Sequence, residues 1–166
     1  MLRFARNDSL VPVIARSEAT KQSRPGDAPV IIIHSLAHAV AALSAAAEVG
    51  RPVILASAPD AGIYAGPGWF GALIAAAREA VPVAECTMLL DCGDDAGAAQ
   101  AAIRAGIEAI VFTGRADVAE RLADIAGRRG TRLLTARPAI ALDLATDFFA
   151  SAETLHLRCA DFLRAG

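Results

Sequence analysis

The chain has 166 residues, 55% hydrophobic and 20% charged, with a net charge of −2, which fits one folded domain and excludes a disordered protein. Much of the apolar content is alanine and no stretch approaches the ~20 bulky apolar residues of a membrane span, so a soluble, cytoplasmic protein with no membrane partner is expected. Scattered arginines without interleaved aromatics argue against nucleic acid. The sole lysine, Lys21, argues against Schiff-base, PLP and P-loop chemistry, because arginine cannot give up its proton.

Residues 1–28 mix charges and carry neither a strand nor a helix period. Arg6-Asn7-Asp8 and the run from Val13 to Ser23 resemble a translated bacterial intergenic repeat. This lead-in is read as flexible, either as sequence upstream of the native start or as a basic tail that packs late.

From Pro29 onward, five short apolar runs each stop at small polar or acidic residues: Val30–Ile33, Val53–Leu55, Thr87–Leu90, Ile110–Phe112 and Leu133–Leu134. The first four lead into alanine-rich helical stretches, a β/α rhythm that sets every strand's C-terminal end along one edge of a parallel sheet. The first strand ends at His34-Ser35, and Leu36, Val40 and Leu43 recur at helical spacing until Gly50 closes the helix. The second runs into a long loop from Ser57 through Asp60 and Tyr64 to Trp69. The third ends in Asp91-Cys92-Gly93-Asp94-Asp95, where either Asp94 or Asp95 can cap the following helix. The fourth ends at Thr113-Gly114, its helix closed by Gly127 or Gly130, and the fifth runs from Leu133 to Arg137 and stops at Pro138.

The remainder, with Phe148, Phe149, Leu155, Phe162 and Leu163, is expected to form one or two helices covering a sheet face that the crossover helices leave bare. The fold class is α/β: a single three-layer domain at 29–166 with a five-stranded parallel sheet, doubly wound, the alternative being a partial β/α barrel.

Open α/β sheets bind ligands at the C-terminal edge of the strands. The groups there are His34, Ser35, Ser57, Asp60, Asp91, Cys92, Asp94, Thr113, Arg115 and Arg137. Asp91 is the first catalytic candidate, since a carboxylate ending an apolar strand sits where partial burial can raise its pKa; hydrogen bonding to loop amides is the bland alternative. Asp94 and Asp95 could join it around magnesium, although capping explains them more simply. Cys92 is read as a thiolate or zinc ligand, or as a small buried side chain. Three cysteines without a CxxC pair give no disulfide framework, Cys86 and Cys159 lack local partners, and His34 and His38 align as metal ligands only if both lie on one helix. His156 is read as tail packing. Arg115 and Arg137 suit a small anionic metabolite, with Gly114 admitting a phosphate close to the backbone. Tyr64 and Trp69 flank a Gly-Pro-Gly turn, as a lid or as anchors of the loop.

Residues 29 to about 137 resemble the first five β/α units of class II fructose-bisphosphate and tagatose-bisphosphate aldolases. The likeness is carried by Pro52-Val53-Ile54-Leu55-Ala56-Ser57 with Tyr64-Ala65-Gly66, by Leu90-Asp91-Cys92-Gly93, and by Ala102-Ile103-Arg104-Ala105-Gly106 followed by Ile110-Val111-Phe112-Thr113-Gly114. The resemblance implies proton transfer at Asp91 and zinc at the position of Cys92, where the family carries histidine. A complete barrel takes roughly 250 residues, so the second half and its phosphate-binding residues have no counterpart. The reading from sequence is an altered or non-catalytic aldolase relative binding a small anionic metabolite through Ser35, Ser57, Asp60, Tyr64, Thr113, Gly114, Arg115 and Arg137. The alternatives are a metal-assisted lyase or isomerase, with zinc or magnesium at Cys92 and Asp94, and an assembly protein. Unpaired sheet edges point to a homodimer under each.

Overall fold

The computed structural model describes residues 28–166; the expectations for the lead-in lie outside the described residues. Six strands, β1 (Val30–Ile33), β2 (Val53–Ser57), β3 (Cys86–Asp91), β4 (Ala109–Val111), β5 (Arg132–Leu134) and β6 (Ala141–Asp143), form one parallel sheet in the order β5-β4-β3-β2-β1-β6. The helices are α1 (Leu36–Val49), α2 (Ala61–Tyr64), α3 (Gly66–Ala80), α4 (Ala96–Arg104), α5 (Ala116–Arg129) and α6 (Ala152–Ala165). Several boundaries follow directly from residue chemistry. Ser35 caps α1 by accepting the His38 N–H, and Gly50, at φ +70°, closes that helix in the left-handed conformation. Asp95, not Asp94, caps α4, and Gly130 closes α5.

Strand alternation divides the sheet into two faces. Ile31, Ile33, Leu55, Leu90 and Ile110 point to one side and pack with Leu43, Phe70, Ile74, Ile103 and Leu122 of the helices. Val30, Ile54, Ala56, Leu89, Ala109 and Val111 point to the other and form their own cluster, which contains no helix residue. The helices form one layer, with α1 between α6 and α3 and then α4 and α5 in sequence.

The expected α/β domain with a parallel sheet is present, and its arrangement is the partial-barrel one. The first five strands follow one another without a switch point, and all the long helices lie on the same side. A sixth strand, absent from the sequence reading, pairs with β1, Val30 opposite Ala141 and Ile32 opposite Asp143. The third layer expected from the C-terminal helices is also missing: α6 joins the existing layer beside α1.

The link between β5 and β6 explains both differences. The chain leaves the sheet at Leu134, earlier than the expected Arg137, and Thr135–Ile140 crosses the helix-free face to reach the far side of β1. Direction of travel and face both reverse, so this return has the same hand as the helical crossovers before it. Six residues do what a helix would do in a doubly wound sheet. The expected long loop after β2 is likewise mostly helical: α2 and α3 meet at Ala65, and Gly66 at φ +80° precedes Pro67 in the first turn of α3.

Candidate functional site at the C-terminal rim

The C-terminal ends of β2 and β3 and the strap 135–140 converge on Asp91. As the last residue of β3 its side chain faces the helix-free side, where it is only 5% exposed. Ser57, one strand over, accepts the Asp91 backbone N–H at 2.9 Å and donates its hydroxyl to Ala58 O at 3.0 Å. The Asp91 carboxylate accepts the backbone N–H groups of Gly93 (2.9 Å) and Asp60 (3.1 Å). Arg137 completes the set. Its Nε donates to Oδ2 at 2.5 Å and its Nη2 to Oδ1 at 3.1 Å, a bidentate, charge-assisted pair. Nη2 also donates to Asp60 Oδ1 at 2.8 Å. The bond to Asp91, opposed by desolvation and aided by both carboxylate charges, holds the Arg137 guanidinium still more firmly protonated.

The backbone around this trio is specialised. Asp60, at φ +60°, is the only non-glycine residue with positive φ among the described residues, a conformation that costs about 1–2 kcal/mol. Gly93 has φ +53°, and a Cβ there would lie 2.3 Å from Asp60 Oδ1. A Cβ at Gly62 would come within 2.9 Å of Cys92 Sγ and 3.0 Å of Asp91 O. Both glycines allow the β2–α2 and β3–α4 loops to touch.

Cys92 immediately follows Asp91 yet faces the opposite side, fully buried in the helix-facing core. Burial, with the carboxylates of Asp91 and Asp95 nearby, pushes its thiol up to about 12. His34 Nε2 lies 2.7 Å from Asp143 Oδ1 on β6. His38 is wholly buried, its Nδ1 accepting the His34 backbone N–H and its ring edge-on to Phe148. Asp94 is exposed, while Asp95 Oδ1 accepts the Ala98 N–H.

The remaining candidates sit apart. Thr113 N–H donates to Gly93 O, and the Arg115 side chain, exposed at the start of α5, pairs with Asp117 at 3.0 Å. Gly114 is required by its own neighbour, since a Cβ would lie 2.4 Å from the Phe112 ring. Tyr64 is 68% exposed at the end of α2, and Trp69 is in the first turns of α3 beside Phe70. His156 reaches Glu48 at 2.7 Å. Thus Ser57, Asp60, Asp91 and Arg137 come together, and Thr113, Gly114 and Arg115 form a second corner. Ser35 serves the α1 cap.

Sequence reasoning named Arg137 for an anion and missed that its anions are two of the chain's own carboxylates. It also missed a brace between α3, β3 and the start of β4, at the other end of the sheet. There Arg78 Nη2 donates to Glu108 (2.8 Å) and to Cys86 O (2.8 Å), and Glu108 accepts the Met88 N–H at 2.9 Å. The only signal for it was a glutamate placed directly before an apolar strand.

The family model described as fructose-bisphosphate aldolase class-II matches residues 20–121. The chain belongs to the class II fructose-bisphosphate aldolase family. Among solved structures, a protein from Coccidioides immitis assigned as a fructose-1,6-biphosphate aldolase is similar, with 20% identity and a TM-score of 0.54. The match covers 64% of this chain and 44% of that one, so this aldolase relative spans less than half the length of the structure it resembles. That likeness concerns the fold. No curated protein matches the chain.

The resemblance to this family raises zinc, and the donor set tests it. A catalytic zinc needs three protein ligands and an open position. Cys92 is a core thiol facing away from Asp91, His34 is joined to Asp143, and the His38 ring is buried. No group of three His, Cys, Asp or Glu among the described residues could hold a metal ion. The side chains present do not fit a zinc centre, nor do Asp91, Asp94 and Asp95 converge as a magnesium site. Among the described residues no helix is long and apolar enough to cross a membrane.

Proposed function

We propose that this aldolase relative is non-catalytic and binds a small anionic, phosphorylated metabolite at the C-terminal rim of its sheet. The observation that carries this reading is the state of Asp91. Both of its carboxylate oxygens are engaged by Arg137 and two backbone amides, and the residue beside it is a core thiol. A carboxylate satisfied in this way is not presented to a substrate proton.

The corner of Thr113, Gly114 and Arg115 supports the ligand. Arg115 stands at the N-terminus of α5, where the helix dipole favours negative charge. Its pair with Asp117 is exposed on both sides, and such pairs exchange partners at little cost. The two carboxylates of Asp60 and Asp91 around the single Arg137 disfavour a further anion there, which supports a ligand on the Arg115 side of the rim.

The test combines two measurements. Purified protein should cleave no fructose-1,6-bisphosphate above the uncatalysed rate. Sugar phosphates or inorganic phosphate, at about a hundredfold above Kd, should raise Tm by roughly 5 °C or more, and Arg115→Ala should abolish that rise. Turnover, or a Tm that no phosphorylated compound moves, would overturn the reading. Self-association is part of the same proposal: β5 and β6 are sheet edges, and Phe149, shortly after β6, is 98% exposed, an apolar surface that a second copy would cover. Sedimentation should show a dimer that dissociates on dilution and is weakened by Phe149→Ser.

A further inference from the structure

The strap 135–140 crosses the helix-free face, and it is held differently from the helices that cover the other side. Among the described residues, 135–139 take part in no backbone–backbone turn or loop hydrogen bond, and Ile140 leads directly into the β6 pairing. Thr135, Ala136, Arg137, Ala139 and Ile140 are exposed, and only Pro138 is half-buried. Its ends are pinned by the sheet, where Phe112 N–H donates to Leu134 O at 2.9 Å and Ala141 sits in register with Val30. Between those ends its hydrogen bonds come from one side chain, Arg137, on Asp91 and Asp60. Beneath it lies a cavity of about 40 Å³, walled by Ala56, Leu89, Val111 and Pro138 and bounded by Asp91 and Arg137.

We propose that residues 135–140 form a lid, latched by Arg137, that opens between Leu134 and Ala141 while the sheet and the helix layer stay folded. Local opening has a low cost where backbone hydrogen bonds are absent and few apolar contacts must break. Residues 135–139 meet the first condition, and of the strap's own side chains only Pro138 is half-buried; the helix layer meets neither. Closed, the lid keeps Asp91 out of reach and the cavity too small for a metabolite. Open, it uncovers the apolar floor of Ala56, Leu89 and Val111, while the backbone amides of Asp60 and Gly93 still hold the Asp91 carboxylate. The device is separate from the anion corner at Arg115, so each can fail without the other.

Two thiols on opposite faces of the sheet read the lid directly. Ala56→Cys places one beneath the strap, and Cys92 already reports on the helix side. With Arg137 intact, the thiol at position 56 should react with a maleimide at a rate that low urea does not change. Adding Arg137→Gln should accelerate it roughly tenfold or more and leave Cys92 within about twofold. The milder Asp60→Ala, which removes one latch contact and retains the Arg137–Asp91 pair, should accelerate it less and in the same direction. Equal acceleration of both thiols would show global loosening, and no response of the thiol at position 56 to either variant would show that Arg137 is no latch. Either result overturns the proposal.

Discussion

The two faces of this sheet come from the same alternating strands and are covered in opposite ways. On one side Ile31, Leu55, Leu90 and Ile110 meet a layer of helices whose backbone groups are satisfied largely within the helices, with side-chain caps on α1, α4 and α6. On the other, Val30, Ile54, Ala56, Leu89 and Val111 meet a six-residue strap fastened by an arginine. Stability therefore resides on the helix side, and the strap side is where the molecule can change shape at low cost. The same division separates Asp91 from Cys92, neighbours in sequence that serve different faces.

The comparison breaks most readily on the helix side. Phe70→Ala, at a fully buried position of α3, should cost about 3–5 kcal/mol in urea unfolding; a loss under about 1 kcal/mol would mean that the helix layer is not the stable half. Gly93→Ala should come next, at roughly 2 kcal/mol or more, because it adds a left-handed penalty to a clash with Asp60. Gly50→Ala, with a similar φ and open space, isolates the backbone part and should cost only about 1 kcal/mol.

A pH series sharpens the contrast at the β1–β6 edge. Burial, reinforced by the nearby His34, lowers the His38 pKa against the opposing pull of Asp147 and Asp143. The unfolded chain then takes up the proton first, so this contribution is intact above the ordinary value of 6.5 and is lost as pH falls from there through the lowered native value. Urea midpoints should drop over that window in the wild type and lose that part of the slope in His38→Leu. Thiol titration at neutral pH gives a further check. Cys86 is half-buried and should react, whereas Cys92 and Cys159, pushed up to about 12 and about 11 by burial, should wait for unfolding. The smallest effect belongs to the strap: Pro138→Ala should stay within about 1 kcal/mol, and a larger loss would make the strap part of the folding core.

Much of this was legible in the chain. Apolar runs ending at Ser57, Asp91 and Thr113 located the rim, because parallel crossovers leave strand C-termini on one side. The Gly50 and Gly130 stops and the Ser35 cap were readable because capping is local chemistry. What escaped was non-local. Ala141–Asp143 is too short to announce a strand and exists by pairing with β1, more than a hundred residues earlier. Arg137 looked like an anion site because its partners, Asp60 and Asp91, lie 77 and 46 residues away. The third layer was expected because apolar strands need both faces covered; that need is met by a strap that no periodicity marks.

The sequence by itself determined the parallel α/β architecture and the polar rim, since these depend on alternation, caps and spacing within short windows, and its resemblance to class II aldolases pointed to the family; that the sheet is a partial barrel and not doubly wound was decided by the tertiary structure. Only the tertiary structure decided which face each rim residue serves, that Arg137 closes over Asp91, and that Cys92 belongs to the core. Those outcomes depend on how the sheet curls and where the chain returns across it, and such long-range contacts leave no mark in the order of neighbouring residues.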